Sequence, residues 1–149
     1  MITKKDFKKA IAGPFEQAKY VKKGQSWYLD GEDTIIVVNL QKSNYSEIYY
    51  MNIGIWLKAV GIVLFPQENQ CHLVFRVEEL FPEDLTIIRE GLSLEQANSQ
   101  VLLDFVEFIK LELIPFLEDC TKKYKLVEFV TMGRIKSTFL RKEAQDYLS

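Results

Sequence analysis

From Asp33 to Lys42, and again from Glu47 to Lys58, the side chains alternate between two kinds of position. Ile36, Val38 and Leu40 share one face of the first run, while Ile35, Val37, Asn39 and Gln41 share the other. In the second run Tyr49, Met51, Ile53, Ile55 and Leu57 alternate with Tyr50, Asn52, Gly54 and Trp56. A period of two belongs to a strand, whose successive Cβ atoms point to opposite faces. The short segment Ser43–Ser46 between the runs predicts an antiparallel hairpin with a loop of two or four residues. A slip of one residue would set Asn39 and Gln41 beside Met51 and Tyr49. Each buried, unpaired amide costs about 1–3 kcal/mol, so the apolar sets are expected to share a face. A sheet with one greasy side needs a cover, and the rest of the chain has to supply it.

The flanking segments have the periodicity to do so. Thr3 to Tyr20 reads as a helix, with Phe7, Ala10, Ile11, Phe15 and Ala18 at helical spacing and Thr3 and Asp6 at its start. Gly13-Pro14 predicts a kink, or a restart with Pro14 at the first helical position. Ser26 to Leu29 is read as a strand leading through Asp30-Gly31-Glu32 into the hairpin, and Cys71 to Glu78 as a fourth strand. That strand would carry Cys71, Leu73, Phe75 and Val77 on the apolar side. Leu85 to Arg89 adds a short fifth strand. Ser93 and Gln96 form a capping box for a long helix with a stripe of Leu102, Phe105, Val106, Ile109, Leu113, Phe116 and Leu117, which Pro115 kinks or ends near Ile114. Leu126 to Val130 reads as helical up to Gly133, and Ile135 to Leu148 as a final helix.

The expected fold is therefore α+β: an N-terminal helix, an antiparallel sheet of four to five strands in meander order, and C-terminal helices packed on one face. No Gly/Ser/Pro linker divides residues 1–149, which are read as one domain. At 48% hydrophobic content, a chain of this length buries roughly 68–70% of its unfolded surface and needs no disulfide or metal to hold a core.

The opposite face of the sheet carries the candidate binding residues. Asn39, Gln41, Tyr50, Asn52 and Trp56 lie there, joined by His72 and Arg76. Aromatic rings among amides, an imidazole and a guanidinium make a recognition surface, and Arg76 has the fork to hold a carboxylate or phosphate. The plain alternative is a polar face that is only solvated, as antiparallel sheets often have.

Catalytic signatures are missing. His72 is the single histidine, so any Ser-His-Asp or Cys-His site would have to use it. Adjacent strand residues point apart, which rules Cys71 out as its partner. The sequence contains no Gly-x-Ser-x-Gly, His-Glu-x-x-His, P-loop or dinucleotide glycine fingerprint. No metal site and no cofactor are expected. Nucleic acid is not expected either: Trp27, Tyr28, Tyr50 and Trp56 are available for stacking, but the strands offer few cations beyond Lys42, Lys58 and Arg76 to neutralise phosphates.

Charge follows a basic–acidic–basic order along the chain. Residues 1–23 hold seven lysines against Asp6 and Glu16, and residues 65–119 hold twelve acids against Arg76, Arg89 and Lys110. Such an order produces either opposed patches that steer a partner or solvated helix faces whose charges mix. Lys8 and Lys9 interrupt any apolar run near the start, and the longest uncharged stretch, Ile48 to Leu57, is half a membrane span. Two distant cysteines, Cys71 and Cys120, fit reduced thiols. A cytoplasmic protein with no membrane segment, monomeric or homodimeric, is expected.

Several of these landmarks recur in a known order. Lys22-Lys23-Gly24 and Trp27-Tyr28 precede Val38-Asn39-Leu40-Gln41-Lys42-Ser43; then come Met51-Asn52-Ile53-Gly54-Ile55, Cys71-His72 with Arg76, and Leu113-Ile114-Pro115-Phe116-Leu117. Over roughly residues 5–130 this pattern resembles the bacterial domain-of-unknown-function family 4304. It departs from that family at Val74, where a basic residue is common, and at Pro82-Glu83-Asp84-Leu85, where tryptophan is common. The resemblance implies an α+β bacterial domain and marks Gln41, Asn52, His72 and Arg76 for inspection; it assigns them no task. The leading expectation is a non-catalytic module of accessory or immunity-like kind that binds a protein or a small polar ligand through the polar-aromatic face. The alternative is an enzyme for a small anionic substrate, with His72 as acid/base and Arg76 as anion clamp.

Overall fold

The computed structural model describes residues 2–149. Helix α1 (Lys4–Gln17) starts at Thr3, whose hydroxyl accepts the Asp6 N–H at 3.1 Å. Pro14 neither ends nor restarts it. Lying in the last turn, proline deprives only the Ala10 carbonyl of a donor, while the buried Ile11 and Phe15 hold the helix on the sheet.

Five strands follow in sequential order: β1 (Val21–Lys23), β2 (Ser26–Asp30), β3 (Thr34–Lys42), β4 (Tyr49–Leu57) and β5 (Leu73–Arg76), each antiparallel to its neighbour. In the central hairpin Ile36 faces Ile55, Val38 faces Ile53 and Asn39 faces Asn52. The expected sorting of faces holds, but the loop is longer. Its last pair is Lys42 and Tyr49, and Ser43 N–H donates to the Ile48 carbonyl. Residues 47–49 are held elsewhere: Ile48 bridges Ser93, Tyr49 N–H donates to Leu92, and Leu94 N–H donates to Glu47. The register thereby moves by two residues, a shift that keeps every side chain on its face.

Other expectations are corrected. Strand β1 escaped the reading because all three of its residues are exposed, leaving no alternation to detect. Leu85 to Arg89 is not a strand but part of helix α3 (Leu85–Gly91), which buries Ile88 and brings Gly91 against Phe105. The fourth strand stops at Arg76, and Val77 turns into the short helix α2 (Val77–Leu80) while staying in the core. Cys71 precedes that strand and does not extend the inner face; it is buried on the outer face with Ile35 and Val37.

The Ser93 capping box does not form. Helix α4 (Ser99–Phe108) is capped by Asn98, whose side chain accepts the Val101 N–H at 2.9 Å. A π-turn over Ile109–Leu113 then leads into α5 (Ile114–Asp119), with Ile114 N–H donating to the Ile109 carbonyl. The wide turn carries the chain past Pro115, which has no N–H to donate, so the helix does not end there. Helix α6 (Lys123–Thr131) stops before Gly133, at φ +81°, a conformation open to glycine. The final segment is not one helix: Ser137–Phe139 forms a 3-10 turn, Leu140 bridges Leu73 of β5, and only Lys142–Leu148 is helical (α7).

Every helix contributes to one core on the inner face, where Phe7, Ile11 and Phe15 meet Ile36, Val38, Met51 and Ile53, and Phe105, Ile109 and Leu117 close over them. Trp27 is buried there, stacked on Phe15 with centroids 5.0 Å apart, and so is not available to stack on bases. Among the described residues no helix is long and apolar enough to cross a membrane.

Candidate functional site

The outer face divides into two ends. At the first, the outward positions of β2, β3 and β4 line up Ser26, Asn39 and Asn52. Asn39 Nδ2 donates to Ser26 Oγ at 2.9 Å, and Asn52 Nδ2 donates to Gln41 Oε1 at 3.0 Å and to Asn39 Oδ1 at 3.5 Å. Asn52 is nearly buried, and its amide is spent on this ladder rather than offered to solvent.

Register places Arg76 opposite Asn52. Its guanidinium lies 4.1 Å from the Tyr50 ring centroid, a cation–π contact that extends the fork over the face. The Arg76 N–H donates to Glu79 Oε1 at 2.7 Å, turning the chain from β5 into α2. Around Arg76 two open grooves of about 530 and 440 Å³ adjoin, sharing Arg76, Glu78 and Arg89. Glu68 and Glu79 also line the first. Burial raises the Glu68 carboxyl above its usual value, against the pull of Arg76 and Arg141.

The other end is apolar. Ala59 to Pro66 folds back over the outer face as a loop. The Trp56 indole N–H donates to the Gly61 carbonyl at 2.9 Å, Tyr28 meets Phe65 edge to face at 5.2 Å, and Lys23 Nζ sits 4.3 Å above the Phe65 ring. A cavity of about 550 Å³ opens between this loop and Tyr28, Leu29 and Ile35. The loop nonetheless leaves Ile62 97% and Leu64 79% exposed.

Of the residues expected at the site, Asn39, Gln41, Tyr50, Asn52 and Arg76 converge, while Trp56 and His72 lie apart from them. His72 and Arg76 are four positions apart on the β5 segment, about 13 Å along its axis, and His72 lines neither groove at Arg76. Its ring is buried against Trp56, with centroids 4.3 Å apart, and its Nδ1 accepts the Leu57 N–H at 2.9 Å. Burial lowers its pKa, opposed by Glu143 and aided by Arg141. Burial pushes the Cys71 thiol up to about 12, with Glu68 adding to the rise, and raises Cys120 as well; neither is an activated thiolate. Among the described residues no three His, Cys, Asp or Glu side chains gather to hold a metal ion.

Arg89 and the apolar loop were missed. Arg89 lay in the segment misread as a strand. The loop had a signal, an uncharged run between Lys58 and Glu68, but it has neither helical nor strand period and so marks no element.

No curated protein and no solved structure matches this chain. One family model does match, over residues 11–119, from within α1 through Asp119 at the end of α5. That span contains the whole sheet with its amide ladder, Arg76 and the apolar loop, and the chain belongs to the family described as domain of unknown function DUF4304.

Proposed function

We propose that the protein is a non-catalytic, protein-binding module, of an accessory kind, that docks its partner on the outer face of the sheet. The observation that carries this reading is the apolar loop: Ile62 and Leu64 stand almost fully in solvent on a segment pinned to that face through Trp56 and Phe65. Exposed apolar side chains grouped beside a polar surface are the makings of an interface with a greasy centre and a hydrated rim. The amide ladder and Arg76 supply the rim.

The charge at Arg76 favours a protein over a small anion. Arg76 and Arg89 share their groove with Glu68, Glu78 and Glu79, so a lone anion meets carboxylates as well as guanidinium groups, whereas a protein surface can pair with both signs. An acid/base role for His72 gains no support from a buried ring whose Nδ1 is already engaged. Two buried free thiols, Cys71 and Cys120, support a place in a reducing compartment, the cytoplasm.

Affinity capture from lysate of the source cells, followed by calorimetry with the recovered partner, tests the reading. Ile62→Asp with Leu64→Asp should abolish the specific partner, and Arg76→Ala should weaken it about tenfold. Equal recovery by all variants would overturn the assignment of the face. Recovery of the chain itself, with a loop-dependent dimer in sedimentation, would make a second copy the partner.

A further inference from the structure

A separate pocket opens on the inner side of the sheet, where α1 meets the ends of β2, β3 and β4. Its volume is about 160 Å³, and its lining includes Lys4, Lys8, Lys22, Lys42, Trp27 and Tyr49. The placement follows from register. Lys22 pairs with Trp27 and Lys42 with Tyr49 on the inner face, so the inward rows that begin in the core end in cations at the rim. Lys4 and Lys8, one helical turn apart on α1, close the other side.

Two features separate this pocket from a chance gathering of lysines. The lining contains no carboxylate; among the described residues only Lys42 of the four is paired, to Glu47 at 3.6 Å, with its Nζ also donating to the Ser43 and Ser46 carbonyls. The second is independent of charge. Trp27 and Tyr49 are each only 2% exposed, and the Trp27 indole N–H and the Tyr49 hydroxyl are both buried without a hydrogen-bond partner. An unmet buried polar group is costly, and here the two residues that carry such groups both line one small basic pocket.

We infer that this pocket is an anion site for a small phosphorylated molecule, its phosphoryl group held by Lys4, Lys8 and Lys22 and by the Trp27 and Tyr49 donors. The donor count selects the chemistry. Three ammonium groups and two neutral donors exceed what the two oxygens of a carboxylate can accept, whereas a phosphoryl group brings three oxygens and a charge near −2. The volume admits a small anion and excludes a bulky one. The pocket shares only Tyr49 with the grooves at Arg76 and no residue with the apolar loop, and the anion site does not rest on the protein-docking reading.

Inorganic pyrophosphate is the probe, added to the full chain at low ionic strength, with acetate as comparison. Calorimetry should show saturable one-to-one binding, about tenfold tighter than acetate. In a nitrogen–proton correlation spectrum, the Trp27 indole signal should move while that of Trp56, already bonded to Gly61, stays in place. Lys8→Gln and Lys22→Gln should each weaken binding about tenfold, and Lys110→Gln, on the π-turn and outside the pocket lining, should not. Tyr49→Phe keeps the ring and removes only the unpaired hydroxyl, so it should weaken binding without lowering the melting temperature. Absence of saturable pyrophosphate binding, an unmoved Trp27 signal, or equal affinity in the lysine variants would each overturn the site. Binding of a single-stranded polynucleotide with no response to pyrophosphate would overturn it as well.

Discussion

His72 Nδ1 accepts the Leu57 N–H, so the fold holds the imidazole neutral. Its pKa lies below the ordinary 6.5, chiefly through burial. As pH falls through 6.5 the unfolded chain takes up a proton that the folded chain refuses, and stability is lost from there down to the folded pKa. Wild-type protein should therefore become steadily easier to unfold by urea below about pH 6.5. His72→Asn, whose Oδ1 can replace Nδ1 as acceptor, should lose this dependence while unfolding normally near neutral pH; an unchanged slope would refute the assignment. A second residue-scale prediction concerns Gly91, where an added Cβ would sit 2.3 Å from Phe105 Cγ. Gly91→Ala should cost about 1–3 kcal/mol in urea unfolding, the usual range for overpacking. Which face a strand residue takes was legible from alternation, as Asn39 and Asn52 demonstrate. The neighbours of His72 were not, because Trp56 and Leu57 reach it only through a strand pairing far apart in sequence.

At the scale of elements, local chemistry pointed to Ser93 as the cap of the long helix, and tertiary pairing set it aside. Ser93-Leu94-Glu95-Gln96 has the right residues, but Ser93 is bridged to Ile48 and Leu94 N–H donates to Glu47. Asn98 caps instead. Asn98→Ala should cost about 1 kcal/mol and Ser93→Ala clearly less, measured by thermal unfolding of the two variants in parallel. Pro115 was legible as a disturbance, yet its outcome was a π-turn rather than a stop. The buried Ile109, Leu113, Phe116 and Leu117 on both sides make continuing the helix worth more than the hydrogen bond that proline removes. The reading of Ile135 to Leu148 as one helix failed for a similar reason: Leu140 is taken up by the edge of β5.

For the whole molecule, the sheet has two edges and guards them differently. Strand β1 is short, exposed and carries Lys22 and Lys23, an edge that discourages strand addition. The edge of β5 is covered by the Leu140 bridge, with Arg141 N–H donating to the His72 carbonyl. Deleting residues 137–149 should uncover that edge and the core beneath Ala144 and Leu148, giving self-association in size-exclusion chromatography at concentrations where the full chain is unchanged. Ile62→Asp, by contrast, should shift stability by less than about 0.5 kcal/mol, since the side chain is 97% exposed; a large loss would mean that the loop is structural. The α+β class, the meander, the sorting of the hairpin and the outward row of amides followed from the sequence alone. Alternation within a strand and apolar spacing along a helix are set by bonded geometry, and each can be read from neighbours a few positions apart. The length of the hairpin loop, the fate of Ser93, the return of the apolar loop onto Trp56 and the gathering of Lys4, Lys8, Lys22 and Lys42 in one pocket with Trp27 and Tyr49 came only with the tertiary structure. Each depends on which distant segments touch, a choice made by the free energy of the whole core rather than by any stretch of chain.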